Sequence, residues 1–208
     1  MRLIGKRPSQ ANPNLCTSCK DTMIRHHGGA EVEGAFLFAD IRGSTALAES
    51  MSAAEFHSLL DRFYRTVSGV VFEHDGTVDK FVGDELVAHF FPAFAGKHFV
   101  GRAVEAARAV LLATGHSDPA GPWAPVGAGV HTGHAWFGAV GEGTHVEVTA
   151  VGDAVNTAAR LASAAAAGEV LVSAAAAVTA ELDPGLERRS LDLKGKSEPL
   201  EVVVSRVQ

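Results

Sequence analysis

Very little in this chain could cross-link it. Its 208 residues hold two cysteines, Cys16 and Cys19, both near the start, so no disulfide framework is written into it. A broad cationic surface is missing as well. The formal net charge is −6, which argues against nucleic acid as a partner, although a few local Lys and Arg can still hold phosphates. Long apolar runs are absent. The Ala-rich stretch 158–180 is interrupted by Arg160, Gly168 and Glu169 and falls short of the ~20 apolar residues of a membrane span. The opening MRLIGKRPSQ is basic but has no apolar centre, so it does not read as a secretory signal. No internal repeat and no recognisable sensor module stand out. The expectation is a soluble, cytoplasmic protein that uses neither a membrane nor nucleic acid.

What is present is a core. Hydrophobic residues make up 47% of the chain, enough for one globular domain with a short appendage. Residues 1–32 hold Pro8, Pro13, the C-x-x-C pair and His26-His27 with little periodicity, and predict an irregular N-terminal arm. From 33 to 208 the pattern sharpens. AFLFADI (35–41) predicts a short strand buried on both faces. Ser52 and Glu55 form a capping box ahead of Phe56, Leu59, Leu60, Phe63, Val67, Val70 and Val71 at helical spacing. TVDKF and ELVAHF predict two strands joined by a tight turn around Gly83-Asp84. A helix is expected over about 97–114, then a pair of strands in VGAGVHTG and HAWFGAVG. A further helix should run from Asp153, as its cap, to Gly168. EVLVS, an Ala-rich helix and a closing hairpin of LERRSLDLK with EPLEVVVSRV follow. This order implies an α+β sandwich, with helices on one face of a largely antiparallel sheet.

One feature of AFLFADIRGST asks for a function: an apolar strand ends on a carboxylate, Asp40. A second acid, Asp84, sits in the turn of KFVGDELVAHF. If the two strands are neighbours, both carboxylates meet at one sheet end, where they repel unless a cation lies between them. Hard oxygen ligands with open positions suit Mg²⁺ or Mn²⁺ bound together with a substrate phosphate. Either acid alone is also an ordinary turn residue. In VTAVGDAVNTAARL (148–161), Asn156 and Arg160 are i and i+4 and share a helix face, able to orient a hydroxyl and neutralise phosphate oxygens. Lys194 and Lys196 flank Gly195 in a turn that could equally be a solvated one.

FADIRGST, DKFVGDELVAHF, VTAVGDAVNTAARL and LKGK, in this order and spacing, resemble the catalytic domain of class III adenylate/guanylate cyclases over about residues 33–207. The resemblance implies a ferredoxin-like, palm-type sheet working as a head-to-tail homodimer with active sites at the interface. It implies that Asp40, Asp84 and the Ile41 carbonyl hold two Mg²⁺ or Mn²⁺ ions on one subunit. From the other subunit, Lys80 and Thr149 would read the purine, Asn156 position the ribose, Arg160 face the α-phosphate and Lys194 grip the terminal phosphates. ATP is the implied substrate. Lys80 can only donate, which suits adenine N1, and Thr149 can accept from the N6 amine but can also donate to guanine O6.

Other possibilities stand beside this one. The chain could be a catalytically weak, cyclase-like regulatory dimer, a guanylate cyclase, or a diguanylate cyclase, whose turn VGDEL resembles. A generic metal-dependent phosphohydrolase is a further alternative. Cys16 and Cys19 with His26 and His27 could form a tetrahedral Zn²⁺ site or remain reduced thiols in a packed arm. His89 and His131 are expected to be packing or surface residues.

Overall fold

The computed structural model describes residues 17–142 and 145–207. Eight strands form one sheet: β1 (Gly29–Ile41), β2 (Thr77–Val82), β3 (Glu85–Phe90), β4 (Val126–Glu142), β5 (His145–Val151), β6 (Glu169–Ser173), β7 (Arg188–Leu191) and β8 (Leu200–Arg206). Their order is β2-β3-β1-β4-β6-β8-β7, with β5 paired to β4 off this path. All pairings are antiparallel except β4 with β6, so the sheet is mixed. The helices are α1 (Thr17–His26), α2 (Ser44–Ser50), α3 (Ala53–Glu73), α4 (Pro92–Ala95), α5 (Phe99–Ala113), α6 (Asp153–Ala164) and α7 (Ala174–Thr179). None of the described helices is long and apolar enough to cross a membrane.

The period-two rule places the core. Ala35, Leu37, Ala39 and Ile41 of β1 point to one face, where they join Phe63, Val67 and Val71 of α3 and Val100, Val104 and Leu111 of α5. Phe36 and Phe38 point to the other, onto Ala154, Ala158 and Ala162 of α6. The expectation of a strand buried on both faces therefore holds. The expectation of helices on one face does not, because a strand that is apolar on both sides needs cover on both, and α6 supplies the second. Its close approach depends on Gly129 of β4: a Cβ there would lie 2.2 Å from the Ala162 backbone nitrogen.

Several local expectations change. VGAGVHTG and HAWFGAVG form one 17-residue strand, β4, rather than two. Its partners run on without a gap, β1 along 126–138 and β5 along 136–142, so nothing breaks the ladder at Gly133. The described part of the N-terminal arm is regular. Thr17–His26 is a helix lying against β4 and β5, and β1 already begins at Gly29. Only Cys19, Met23 and Ile24 are apolar in that helix, too few to write a periodic face. Asp153 is the first residue of α6 and not its cap, which is Gly152 without a side-chain bond. The helix ends at Ala164, short of Gly168, because Ala165 turns extended. The capping box of α3 is present as expected, Ser52 accepting from the Glu55 backbone and Glu55 from the Ser52 backbone, an arrangement that contributes about 1 kcal/mol. Cys16, half of the C-x-x-C pair, lies outside the described residues.

Candidate active site

Asp40 and Asp84 come together as the spacing suggests. Asp40 is opposite Glu85 in the β1–β3 ladder, and adjacent strands lie about 4.8 Å apart. Asp84 immediately precedes Glu85, in the two-residue turn between β2 and β3 that opens with Gly83 at φ 61, a position favouring glycine. The alternation that sends Phe36 and Phe38 toward α6 sends Asp40 the same way. Asp40 Oδ1 is buried and accepts no hydrogen bond of good geometry; its charge is met by an ion pair with Arg42. The Arg42 guanidinium also donates to the carbonyls of Ser163 and Ala165 at the end of α6, at 3.0 and 3.3 Å. Burial, then Asp84, pushes the Glu85 carboxyl up. The carboxylates of Asp40, Asp84 and Glu85 thus gather at this end of the sheet around the Arg42 guanidinium, a set of oxygens that fits a hard divalent cation. Among the described residues no three His, Cys, Asp or Glu side chains are disposed to hold an ion by themselves. Two aspartates leave coordination positions for oxygens of a substrate.

Tyr64 of α3 was not legible as a site residue, yet it pins the turn that carries Asp84. Its ring stacks on Phe81 with centroids 4.0 Å apart, and its hydroxyl donates to the Gly83 carbonyl. Tyr64→Phe removes the bond that pins the residue next to Asp84. It is expected to raise the Mn²⁺ concentration for half-maximal activity several-fold, by about 1 kcal/mol for one lost hydrogen bond, with the thermal midpoint little changed. A Mn²⁺ titration checks it.

Lys80 and Thr149 line one cleft of about 470 Å³, together with Phe38, Asp79, Glu147 and Val155. Two bonds close it, although β2 and β5 do not pair in the sheet. Lys80 forms an ion pair with Glu147, and Thr149 Oγ1 donates to Asp79 Oδ2 at 2.6 Å. The bulge between Val78 and Lys80 takes Asp79 out of the β2–β3 register. Its side chain is only 5% exposed, and burial pushes the carboxyl up. His89 Nε2 is 3.9 Å from the same Asp79 oxygen, too far for a hydrogen bond. The ring is buried among Phe36, Phe91 and Phe137, and burial pushes its pKa down to about 3, so it stays neutral. His89 is a packing residue, as expected. His131 is half-buried against Ser173 Oγ at 2.7 Å.

Asn156 and Arg160 lie one turn apart on α6, Asn156 exposed and Arg160 half-buried. The LKGK turn reaches them. A Cβ on Gly195 would lie 3.2 Å from Arg160 Nη2, and Lys196 Nζ bonds Asp153 Oδ2 at 2.5 Å. Lys194 is exposed beside them. The hairpin carrying this turn is anchored at its far end by buried Glu169, which accepts from Arg189 and Arg206. Four cationic or amide groups therefore converge on one polar patch suited to phosphate oxygens. Among the described residues no hydrogen bond or ion pair links Asp40 or Asp84 to Asn156, Arg160 or Lys194.

The family described as the adenylate and guanylate cyclase catalytic domain matches residues 31–205. Adenylate cyclase 1 of Rhizobium meliloti is 32% identical over 188 residues, 85% of this chain and 28% of that protein. A Mycobacterium tuberculosis protein, Rv1320c, is 38% identical over 134 residues, 64% of this chain and 23% of its own length. The chain thus spans about a quarter of these relatives. Among solved structures, the adenylyl cyclase CyaB of P. aeruginosa superposes with a TM-score of 0.75 at 27% identity, covering 87% of this chain and 97% of that one. The guanylyl cyclase Cya2 superposes at 0.76 with 23% identity, covering 85% and 93%, a likeness of fold. The α+β sheet with its aspartate-bearing end and its cleft is a nucleotidyl cyclase fold. This chain belongs to the class III adenylate/guanylate cyclase catalytic domain family.

Proposed function

We propose that the domain is an adenylate cyclase that converts ATP to 3′,5′-cyclic AMP and pyrophosphate at active sites shared across a homodimer. The observation that carries the base assignment is the cleft where Lys80 and Thr149 face one ligand position. Lys80 offers a donor to adenine N1 once it leaves Glu147, and Thr149 offers a hydroxyl oxygen to the N6 amine. Support for the shared site is that, among the described residues, no hydrogen bond or ion pair links the aspartate pair to the Asn156, Arg160 and Lys194 patch within one chain. Each chain holds two half-sites, and a two-fold partner would complete both. Exposed Val82, Val140 and Val151 rim the cleft, apolar surface that a second copy would cover.

In the reaction the ribose 3′-oxygen attacks the α-phosphorus, the new O3′–P bond forms, and the bond to the β-phosphate oxygen breaks to release pyrophosphate. Asp40 and Asp84, with the Ile41 carbonyl, would hold two Mg²⁺ or Mn²⁺ ions, which when bound lower the pKa of the 3′-hydroxyl and neutralise the triphosphate. Asn156 orients the ribose so that the 3′-oxygen stands in line with the leaving group. Arg160 donates to the α-phosphoryl oxygens, where charge builds in the transition state. Lys194 holds the terminal phosphates as a point charge.

Purified protein incubated with Mn²⁺ and either ATP or GTP, with products separated by chromatography, is expected to yield cyclic AMP from ATP. No cyclic product with any metal, the fold being intact, would favour the regulatory dimer. A preference for GTP would overturn the role of Lys80.

A further inference from the structure

We propose that Asp79 is a positioning residue: it sets the hydrogen-bond sense of Thr149 and so makes the cleft choose a 6-aminopurine over a 6-oxopurine. This rests on the nucleotide assignment above and extends it to a residue that acts through Thr149. Thr149 Oγ1 has one proton, and that proton is directed at Asp79 Oδ2 at 2.6 Å. An ionised carboxylate only accepts, so the hydroxyl cannot turn its proton outward without abandoning a buried charge. What Thr149 then shows a ligand is a lone pair. Lys80, the next residue along β2 and in the same cleft, shows only donors. One donor and one acceptor match N1 and the N6 amine of adenine. In the same pose a 6-oxopurine sets its N1–H against the ammonium and its O6 against the lone pair, leaving buried polar groups unpaired. Sites built this way discriminate far more strongly than apolar pockets do.

The surroundings hold Asp79 in this role. The bulge at Val78/Lys80 aims the side chain inward, where it is nearly buried. The groups that face it are Lys80 beside it on β2, Glu147 on β5, Lys20 on α1, His89 on β3 and Thr149 itself. Burial raises the Asp79 pKa, while the Thr149 bond, Lys80 and Lys20 oppose the rise. A protonated Asp79 would donate to Thr149, free the hydroxyl proton and reverse the sense. The preference for adenine should therefore weaken toward acid pH.

The test reads affinity with 3′-deoxy-ATP and 3′-deoxy-ITP, which cannot cyclise, by displacement of mant-ATP in the presence of Mn²⁺. The unmodified protein is expected to favour the adenine analogue by about a hundredfold. In Asp79→Asn the amide can donate to Thr149, and the preference is expected to fall at least tenfold. Thr149→Val should show a similar fall, and adding Asp79→Asn to Thr149→Val should change it little further. As the pH falls into the range where the raised Asp79 carboxyl takes up its proton, the preference of the unmodified protein should fall, and that of Asp79→Asn should not. An unaltered preference in a folded Asp79→Asn protein overturns the inference. If that variant does not fold, a preference that grows toward acid pH in the unmodified protein overturns it instead. Adenine preference without cyclic product would refute cyclase activity and support the role of Asp79, while cyclic AMP formation with unaltered discrimination refutes Asp79 alone.

Discussion

An equimolar mixture of Asp40→Ala and Asn156→Ala proteins is expected to recover about a quarter of the unmodified activity, although each variant alone is nearly inactive. In the proposed shared-site homodimer, each variant alone lacks one group from both of its sites. Asp40→Ala removes a carboxylate from the pair that would hold the metal ions, and Asn156→Ala removes the amide that would orient the ribose. In a heterodimer the damaged halves fall together in one site, and the other site combines an intact Asp40 from one chain with an intact Asn156 from its partner. Random exchange makes about half of the dimers heterodimers, each with one of two sites whole, hence about a quarter of the activity. The measurement is cyclic AMP formation after mixing under conditions where subunits exchange, with heterodimer formation followed by differently tagged chains. Heterodimers that form and stay inactive would show that each chain builds its site from its own residues.

Arg160→Ala is expected to lower kcat by about 100-fold or more while KM for ATP changes within about threefold, because in the proposed role the guanidinium would act on charge that appears only in the transition state. Arg160 packs on the LKGK turn at Gly195, and among the described residues it forms no ion pair with an acid of the core, so the fold should tolerate the change within about 0.5 kcal/mol. Arg160→Lys should rescue little, since an ammonium cannot reproduce the planar, two-pronged donor set. Steady-state kinetics with a thermal melt on the same samples separates the outcomes. A rise in KM at constant kcat would place Arg160 in ground-state binding.

Much of this domain could be read without coordinates. The unbroken apolar run in AFLFADI was enough to see a strand covered on both sides, because successive side chains of a strand point to opposite faces. Helix α3 announced itself through its capping box and its i, i+3, i+4 apolar stripe. Asp40 and Asp84 were legible because each breaks such a pattern at its end, a carboxylate where an apolar residue or a simple turn would serve. The helix α1 was hidden because it is held by tertiary packing rather than by an amphipathic repeat. Strand β4 looked like two because glycine and histidine at 133–134 resemble a turn, and only the unbroken supply of partners from β1 and β5 keeps it straight on.

The chain by itself determined the order of its motifs, the strand end that carries Asp40, the turn that carries Asp84 and the helix face shared by Asn156 and Arg160, since all of these follow from spacings of two to four residues. Only the tertiary structure decided that β2 and β5, which exchange no ladder bonds, meet through Lys80–Glu147 and Asp79–Thr149. It also decided that Arg160 lies on Gly195 and that α6 covers the second face. The physical reason is the same in each case. Backbone hydrogen bonds and side-chain periodicity are local, whereas the approach of non-paired strands and of a turn to a distant helix is the summed outcome of sheet twist, a bulge and core packing.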